Sequence, residues 1–301
     1  MSQANSVKSI IFALTANFLI AIAKFTAAYI TKSGSMLAEA IHSLVDTSNQ
    51  LLLLLGLNRS KQPASEEHPL GQGKSIYFWS FIVALILFSL GGVYAIYEGI
   101  HKLESPQPIE APFIAIGVLL FSIVAEGFSL WGCIREVNKV RVGRSFIQWF
   151  KDSRQSELLV VFGEDVAALF GLVFALIAIA LTMITGDPIF DAIGTIVIGS
   201  LLVFIAIFLG KEVKALLIGQ GVEPHIKKQM LQQLMQQKTI DKVFNFLSLQ
   251  MGDDVMVAVK VKMTENVSAS QLIDDINACE SEFKQAYPQV KWLFFEPDHR
   301  D

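Results

Sequence analysis

Six stretches of this sequence are apolar enough to cross a lipid bilayer as helices. A bilayer core is about 30 Å thick, so a spanning helix needs about 20 mostly apolar residues. Three of the stretches have no charged side chain and three contain isolated ionisable groups. In chain order, the six stretches are residues 9–30, 36–57, 75–97, 112–134, 166–186 and 192–210. We therefore predict an α-helical membrane protein with six transmembrane helices, the fifth of which begins near Glu157.

The composition supports a membrane location. Hydrophobic residues make up 52% of the 301 residues and charged residues make up 17%, against about 25% charged residues in soluble domains. Lysine and arginine are concentrated in the loops after the second and fourth predicted helices, which lie on one side of the membrane. The loops on the other side contain only Lys32 and Lys102. By the positive-inside rule, both termini are expected in the cytoplasm.

The N-terminal sequence MSQANSVKSI is too short and too polar for a secretory signal and lacks the repeated arginines of a transit peptide. We therefore expect a multi-pass protein of a bacterial-type inner membrane. Cys133 and Cys279 are predicted on the cytoplasmic side of the membrane, which is reducing, and two cysteines are too few for a disulfide framework. Packing roles are therefore expected for both.

A soluble domain is predicted after the last apolar run. The predicted elements are a helix at residues 224–237, strands at 243–251 and 255–263, a helix that begins after the N-cap Ser268, and a strand at 290–295. The order αββαβ fits a small helix-backed sheet of the ferredoxin-like kind. The predicted domains are therefore residues 1–210, within the membrane, and residues 211–301.

The most unusual polar residues lie in the second run, in the sequence AEAIHSLVD at residues 38–46. An aspartate in the middle of a membrane helix costs about 2.5 to 3.5 kcal/mol even on lenient insertion scales, so a compensating role is expected. His42 and Asp46 are four residues apart and share one helix face. Asp165 lies at a similar depth in the fifth predicted helix, so the three side chains can meet.

One imidazole and two carboxylates suit a divalent cation of borderline character. Zinc is the first choice, and iron(II), cobalt or manganese are the alternatives. The competing interpretation is that these side chains form hydrogen bonds between helices, which also occur in membrane proteins.

The segment SGSMLAEAIHSLVD, followed by HPLGQGK at residues 68–74 and then by a third apolar run, resembles the cation diffusion facilitator family of metal exporters. The resemblance implies a transmembrane transport domain of six helices, a cytoplasmic αββαβ dimerisation domain, and a homodimer that exchanges Zn²⁺ or related ions for protons. It also implies a transport site built from two residues four apart on the second helix and two on the fifth. His42 and Asp46 match the first pair, and Asp165 matches the later member of the second.

The sequence departs from the family pattern at several ligand positions. Val161 occupies the earlier position of the second pair and cannot bind metal, so the fourth ligand is either Glu164 or water. Gln72 replaces a loop histidine that is frequent in the family, which leaves His68 alone for a peripheral site. The tail positions that hold metal-binding histidines in some relatives are Phe244, Lys260 and Phe294. The cytoplasmic domain is therefore expected to dimerise without a metal sensor.

Two further charges lie within predicted spans. Lys24 has a long stem that can carry its ammonium group to the membrane surface, so a structural role is expected. Glu126 has two equally weighted interpretations: it lines the cytoplasmic route of the ion or proton, or it accepts a hydrogen bond from a neighbouring helix.

Ligands of this kind must lose protons to bind a dication, so metal and protons compete for the same lone pairs. We therefore predict proton-coupled efflux of a divalent metal, most readily Zn²⁺, by alternating access. The expected partners are the metal as substrate, protons, the lipid bilayer and a second copy of the chain, and no nucleic acid. An intramembrane hydrolase would need a base beside the metal, as in HExxH, and the sequence has no such motif, so no enzymatic activity is expected. A non-transporting scaffold of the same fold is the remaining alternative.

Overall fold

The computed structural model describes residues 3–141, 143–264 and 268–300, with side chains from Asn17 onward. The chain divides into two compact units. One comprises Met1–Gly56, Trp79–Ser145 and Glu157–Val213, and the other comprises Leu57–Phe78, Phe146–Ser156 and Lys214–Asp301.

In the described part of the chain, six long helices and one short helix precede the C-terminal elements. They are α1 (Gln3–Thr31), α2 (Gly34–Ser60), α3 (Ser75–Glu104), α4 (Pro112–Val140), the short α5 (Phe146–Asp152), α6 (Ser156–Thr185) and α7 (Ile189–Ile218). Each predicted apolar run coincides with one of the long helices, and only Gly186, at the end of the fifth run, lies beyond its helix. Among the described residues, α3, α4, α6 and α7 are long and apolar enough to cross a membrane.

Asp191, in the first turn of α7, fixes the start of α2. Its carboxylate accepts hydrogen bonds from the backbone N–H groups of Gly34, at 2.6 Å, and Ser35, at 3.2 Å, and from the Ser33 hydroxyl, at 2.6 Å. The first N–H groups of a helix have no partner within the helix, so a carboxylate placed there satisfies them and interacts favourably with the helix dipole. Asp191 therefore joins the ends of two helices that are far apart in sequence.

Glycines bring the backbones of α3 and α7 into direct contact. A Cβ atom on Gly199 of α7 would lie 2.7 Å from the backbone nitrogen of Ile96 in α3. A Cβ atom on Gly92 of α3 would lie 2.9 Å from the backbone nitrogen of Val203. Small residues at such crossings are typical of membrane helices, which associate by close packing. The contact lies beside a π-helical segment of α3, Leu87–Val93, which the sequence did not predict.

The C-terminal elements have the predicted order αββαβ. They are α8 (Pro224–Gln236), β1 (Ile240–Met251), β2 (Asp254–Met263), α9 (Ala269–Ala286) and β3 (Val290–Pro297). The three strands form one sheet in the order β1-β2-β3; β1 and β2 pair antiparallel, and β2 and β3 pair parallel. The predicted N-cap at Ser268 is confirmed, since its side chain accepts a hydrogen bond from the backbone N–H of Gln271.

Alternation along β2 determines which face of the sheet is buried. Val255, Val257, Val259 and Val261 have 2% exposure or less, and they belong to one apolar core with residues of α8 and α9, including Phe283. This period of two is the pattern that predicted the strand. Both cysteines of the chain are free and buried; Cys279 lies in this core, where burial raises the pKa of its thiol.

The turn between β1 and β2 contacts the segment that leads into α3. The backbone N–H of Gly252 donates a hydrogen bond to the Tyr77 hydroxyl at 3.0 Å. Gly73 lies so close that an added Cβ atom would be 2.0 Å from the carbonyl oxygen of Met251. Only glycine fits at this position, because the obstructing atom belongs to the backbone.

Candidate functional site

A small polar cavity lies among the long helices of the first unit. Side chains from α1, α2, α4 and α6 line it. The lining residues are Asn17, Ile20, Ser43, Asp46, Gln50, Glu126, Ser129, Val161, Glu164 and Asp165. Three of the four predicted site residues, Asp46, Glu164 and Asp165, therefore surround one space, and Glu126 joins them.

Helical spacing explains why these residues face one another. On α2, Ser43, Asp46 and Gln50 are spaced i, i+3, i+7 and share one face. On α6, Val161, Glu164 and Asp165 are spaced i, i+3, i+4, and on α4, Glu126 and Ser129 are three apart. Polar side chains therefore recur over two turns on this face of α2. This pattern is visible in the sequence and could have added Ser43 and Gln50 to the predicted pair His42 and Asp46.

His42 lies beside the cavity and is not one of its lining residues. It is fully buried, and its Nε2 atom is 3.4 Å from Oδ2 of Asp46, although the geometry is not that of a hydrogen bond. Within the described part of the chain, both nitrogens of His42 and the Oδ1 atom of Asp46 have no hydrogen-bond partner. A neutral imidazole has an available lone pair on one of its two nitrogens, so His42 and Asp46 each keep an acceptor atom available to a ligand, in a place where unpaired polar atoms are costly.

The adjacent carboxylates Glu164 and Asp165 face different helices. Asn49 of α2 donates a hydrogen bond from Nδ2 to Oε1 of Glu164. Ser129 of α4 donates one to Oδ1 of Asp165 at 3.2 Å, and Oδ2 of Asp165 has no hydrogen-bond partner among the described residues. Successive residues of a helix point about 100° apart, which accounts for the two directions. Sequence reasoning missed both Asn49 and Ser129.

The carboxylates share the cavity without converging on one point. Among the described residues, no group of three or more histidine, cysteine, aspartate or glutamate side chains is close enough to hold one metal ion. Val161, which occupies the fourth family position, also lines the cavity. His68, the predicted peripheral residue, is exposed in the segment before α3.

A buried ion pair lies next to this cavity. Nζ of Lys24 is 3.3 Å from Oε2 of Glu39 and 2.7 Å from the hydroxyl oxygen of Ser43, which lines the cavity. Both charged side chains have 0% exposure. The ammonium group of Lys24 therefore stays inside the protein rather than reaching the membrane surface, and its ion pair with Glu39 is consistent with the expected structural role.

Comparison with known proteins gives an independent indication of the family. Residues 10–218 match a family model described as the cation efflux transmembrane domain. The proton-coupled zinc antiporter SLC30A9, mitochondrial, of Homo sapiens is 33% identical over 247 residues, which are 81% of this chain and 44% of that protein. Metal tolerance protein C4 of Arabidopsis thaliana is 31% identical over 254 residues, or 84% of this chain and 56% of that protein.

A bacterial relative matches over a shorter segment. The cation-efflux pump FieF of Yersinia pestis (strain Pestoides F) is 34% identical over 105 residues, which are 35% of each protein. The chain thus spans about half the length of the human and plant relatives. The family match includes the apolar helices α3, α4, α6 and α7, so the protein is a multi-pass membrane protein. With its carboxylate-lined cavity and its match from residue 10 to residue 218, the chain belongs to the cation diffusion facilitator family.

Proposed function

We propose that the protein exports a divalent metal cation, most readily Zn²⁺, in exchange for protons. The ion is bound by His42, Asp46 and Asp165, with Glu164 as the fourth ligand, and it enters and leaves by alternating access. The observation that carries this proposal is the cavity that Asp46, Glu164 and Asp165 line, together with the unpartnered acceptor atoms of His42, Asp46 and Asp165.

The cost of burying these groups supports a function for them. Polar atoms without partners at membrane depth are expensive, and ionisable residues there are typically found on ion or proton pathways. Three or more carboxylates in one cavity repel one another when charged, and a dication relieves that repulsion. Protons relieve it as well, so metal and protons compete for the same oxygen atoms. The human relative is named as a proton-coupled zinc antiporter, which agrees with this chemistry.

The carboxylates of the cavity do not converge on one point, and this arrangement suits a transported ion. A structural zinc site is closed and four-coordinate, whereas an ion that must leave needs at least one weakly held ligand. Asp165 accepts a hydrogen bond from a neutral side chain, Ser129, so it can exchange that partner for the ion. Ser43 and Gln50 lie on the same wall and can contact a partly hydrated ion.

The proposal extends to topology and assembly. All six long helices span the inner membrane, including α1 and α2, whose 29 and 27 residues exceed the about 20 that a span requires. Both termini lie in the cytoplasm. Residues 1–210 form the transport domain, and residues 211–301 form a ferredoxin-like domain through which two copies dimerise.

Zinc uptake into proteoliposomes tests this proposal. Asp46→Asn and Asp165→Asn remove charge at nearly constant volume, and each is expected to reduce uptake at least a hundredfold while the melting temperature in detergent stays within a few degrees. Asp253→Asn is the matched control, because Asp253 is exposed in the turn between β1 and β2, and it should transport like the wild type. Parallel assays with Mn²⁺, Fe²⁺ and Co²⁺ establish the preferred metal.

Wild-type uptake in either cavity variant would show that the ion does not bind at this site. A purified wild-type protein that moves none of the four metals, although it is folded, would instead support the scaffold interpretation.

A further inference from the structure

Asn49 has a buried side-chain amide that forms a hydrogen bond with Glu164, one of the residues that line the cavity. It lies on α2, three residues after Asp46, and its exposure is 0%. Its Nδ2 atom donates a hydrogen bond to Oε1 of Glu164, and its Oδ1 atom has no hydrogen-bond partner among the described residues. Asn49 does not line the cavity itself, whereas Glu164 does. A buried amide that satisfies only one of its groups is costly to keep, so its retention calls for a physical explanation.

We infer that Asn49 is a positioning residue that holds the Glu164 carboxylate beside Asp46, so that Glu164 joins Asp165 as a second metal ligand of α6, on the side that faces α2. This inference rests on the proposed metal-transport function. The sequence alone left the fourth ligand open between Glu164 and water, and the hydrogen bond from Asn49 favours Glu164.

The direction of the two carboxylates supports the assignment. The hydrogen bond joins α6 to the helix that carries His42 and Asp46, whereas Asp165 is bonded to Ser129 on α4. Without Asn49, rotation about the side-chain bonds of Glu164 would move its carboxylate away from α2. The hydrogen bond engages one oxygen of Glu164 and leaves the other for a cation.

The chemistry of an amide suits this role. Asn49 donates a hydrogen bond without carrying charge, so it orients the carboxylate and does not cancel its negative charge. A lysine or arginine at this position would also hold Glu164, but it would compete with a dication for the carboxylate. Lys24, the buried cation nearby, is instead paired with Glu39, which does not line the cavity.

Residues that orient metal ligands through hydrogen bonds have a measurable effect on affinity. Their removal typically weakens metal binding about tenfold to a hundredfold. We therefore expect Asn49→Leu to raise the Kd for Zn²⁺ by about tenfold to a hundredfold, and Glu164→Gln to raise it by at least as much. If Asn49 acts through Glu164, the double variant should bind no more weakly than Glu164→Gln alone.

The experiment is titration calorimetry with Zn²⁺ on the purified full-length chain in detergent, with the melting temperature of each variant recorded. Asn138→Leu is the matched control, because it makes the same chemical change at an exposed position near the end of α4, and its Kd should equal that of the wild type. Asn49→Ala removes the same amide without adding bulk, so it gives the answer if leucine at this position prevents folding. A purely structural role would lower the melting temperature without a matching change in Kd.

Three outcomes would overturn the inference. If both folded Asn49 variants bind Zn²⁺ with wild-type affinity, Asn49 does not position a ligand. If the effects of Asn49→Leu and Glu164→Gln multiply in the double variant, Asn49 does not act through Glu164. Asp46→Asn is titrated alongside to test the underlying function. If Asp46→Asn binds Zn²⁺ with wild-type affinity, the proposed metal site itself is wrong. If Asp46→Asn loses binding while the Asn49 variants do not, the metal site stands and only the role of Asn49 is wrong.

Discussion

The ionisable residues of the first unit are stabilised in different ways. Lys24 and Glu39 neutralise each other in a fully buried pair, and Ser43 completes the coordination of the ammonium group. Among the described residues, the hydrogen-bond donors to the cavity carboxylates are neutral: Asn49 donates to Glu164 and Ser129 to Asp165. The first arrangement compensates charge permanently, and the second leaves negative charge available to an ion. Under the proposed function, charge at membrane depth therefore has both a structural and a functional use in this protein.

Removal of the charge of Lys24 tests whether the buried Lys24–Glu39 ion pair stabilises the protein. Removing one partner of a buried ion pair leaves an uncompensated charge and typically costs about 3 to 5 kcal/mol. Lys24→Met should therefore strongly destabilise the protein in a denaturant titration of the detergent-solubilised chain, and the double variant with Glu39→Gln should recover part of the loss.

The matched control for this deletion is Lys32→Met. Lys32 and Glu110 also form an ion pair, but both side chains are more than half exposed. Such a pair contributes about 0 to 1 kcal/mol, so its loss should be small. Equal destabilisation by Lys24→Met and Lys32→Met would contradict the distinction between the two pairs.

At the scale of elements, close contact between α3 and α7 sets the packing of two long helices. Gly199→Ala places a methyl group 2.7 Å from the backbone nitrogen of Ile96, which cannot move without displacing α3. Overpacking of this kind typically costs about 1 to 3 kcal/mol. We expect the same denaturant titration to show a loss in that range.

Gly117→Ala, in α4, is the control for this helix contact. A Cβ atom on Gly117 would meet no heavy atom of the described chain within 4 Å, so the change should be neutral or slightly stabilising, because alanine favours helix by about 1 kcal/mol. If Gly199→Ala is as well tolerated as Gly117→Ala, the two helices do not pack as closely as the structure places them.

Hydrophobic periodicity predicts elements of this kind well, because it depends on local sequence. The apolar runs predicted the long helices, and the alternation of valines predicted β2. The short helix α5 was missed, because seven residues are too few for a clear period. The rotation of each helix about its axis could not be predicted from the sequence either. Whether Glu164 or Asp165 faces α2 depends on packing between distant segments. The partner of Lys24 was missed for the same reason, since Glu39 is fifteen residues away.

At the scale of the whole molecule, the proposed transport cycle links a dication to protons through one set of side chains. Asp46, Glu164 and Asp165 line a single cavity and have few charged partners among the described residues, so neutralisation by metal and neutralisation by protons are alternatives. Export of one species then requires movement of the other in the opposite direction. Simple facilitated diffusion of metal would need no such exchange.

The most direct measurement of this central claim follows zinc and protons in the same proteoliposomes, with a zinc indicator and a pH indicator both enclosed. For the wild type, zinc added outside should enter while protons leave, and an acidic interior should accelerate zinc entry. Asp46→Asn should abolish both signals together. Zinc entry at a rate that is independent of the pH gradient, with no accompanying movement of protons, would contradict the account.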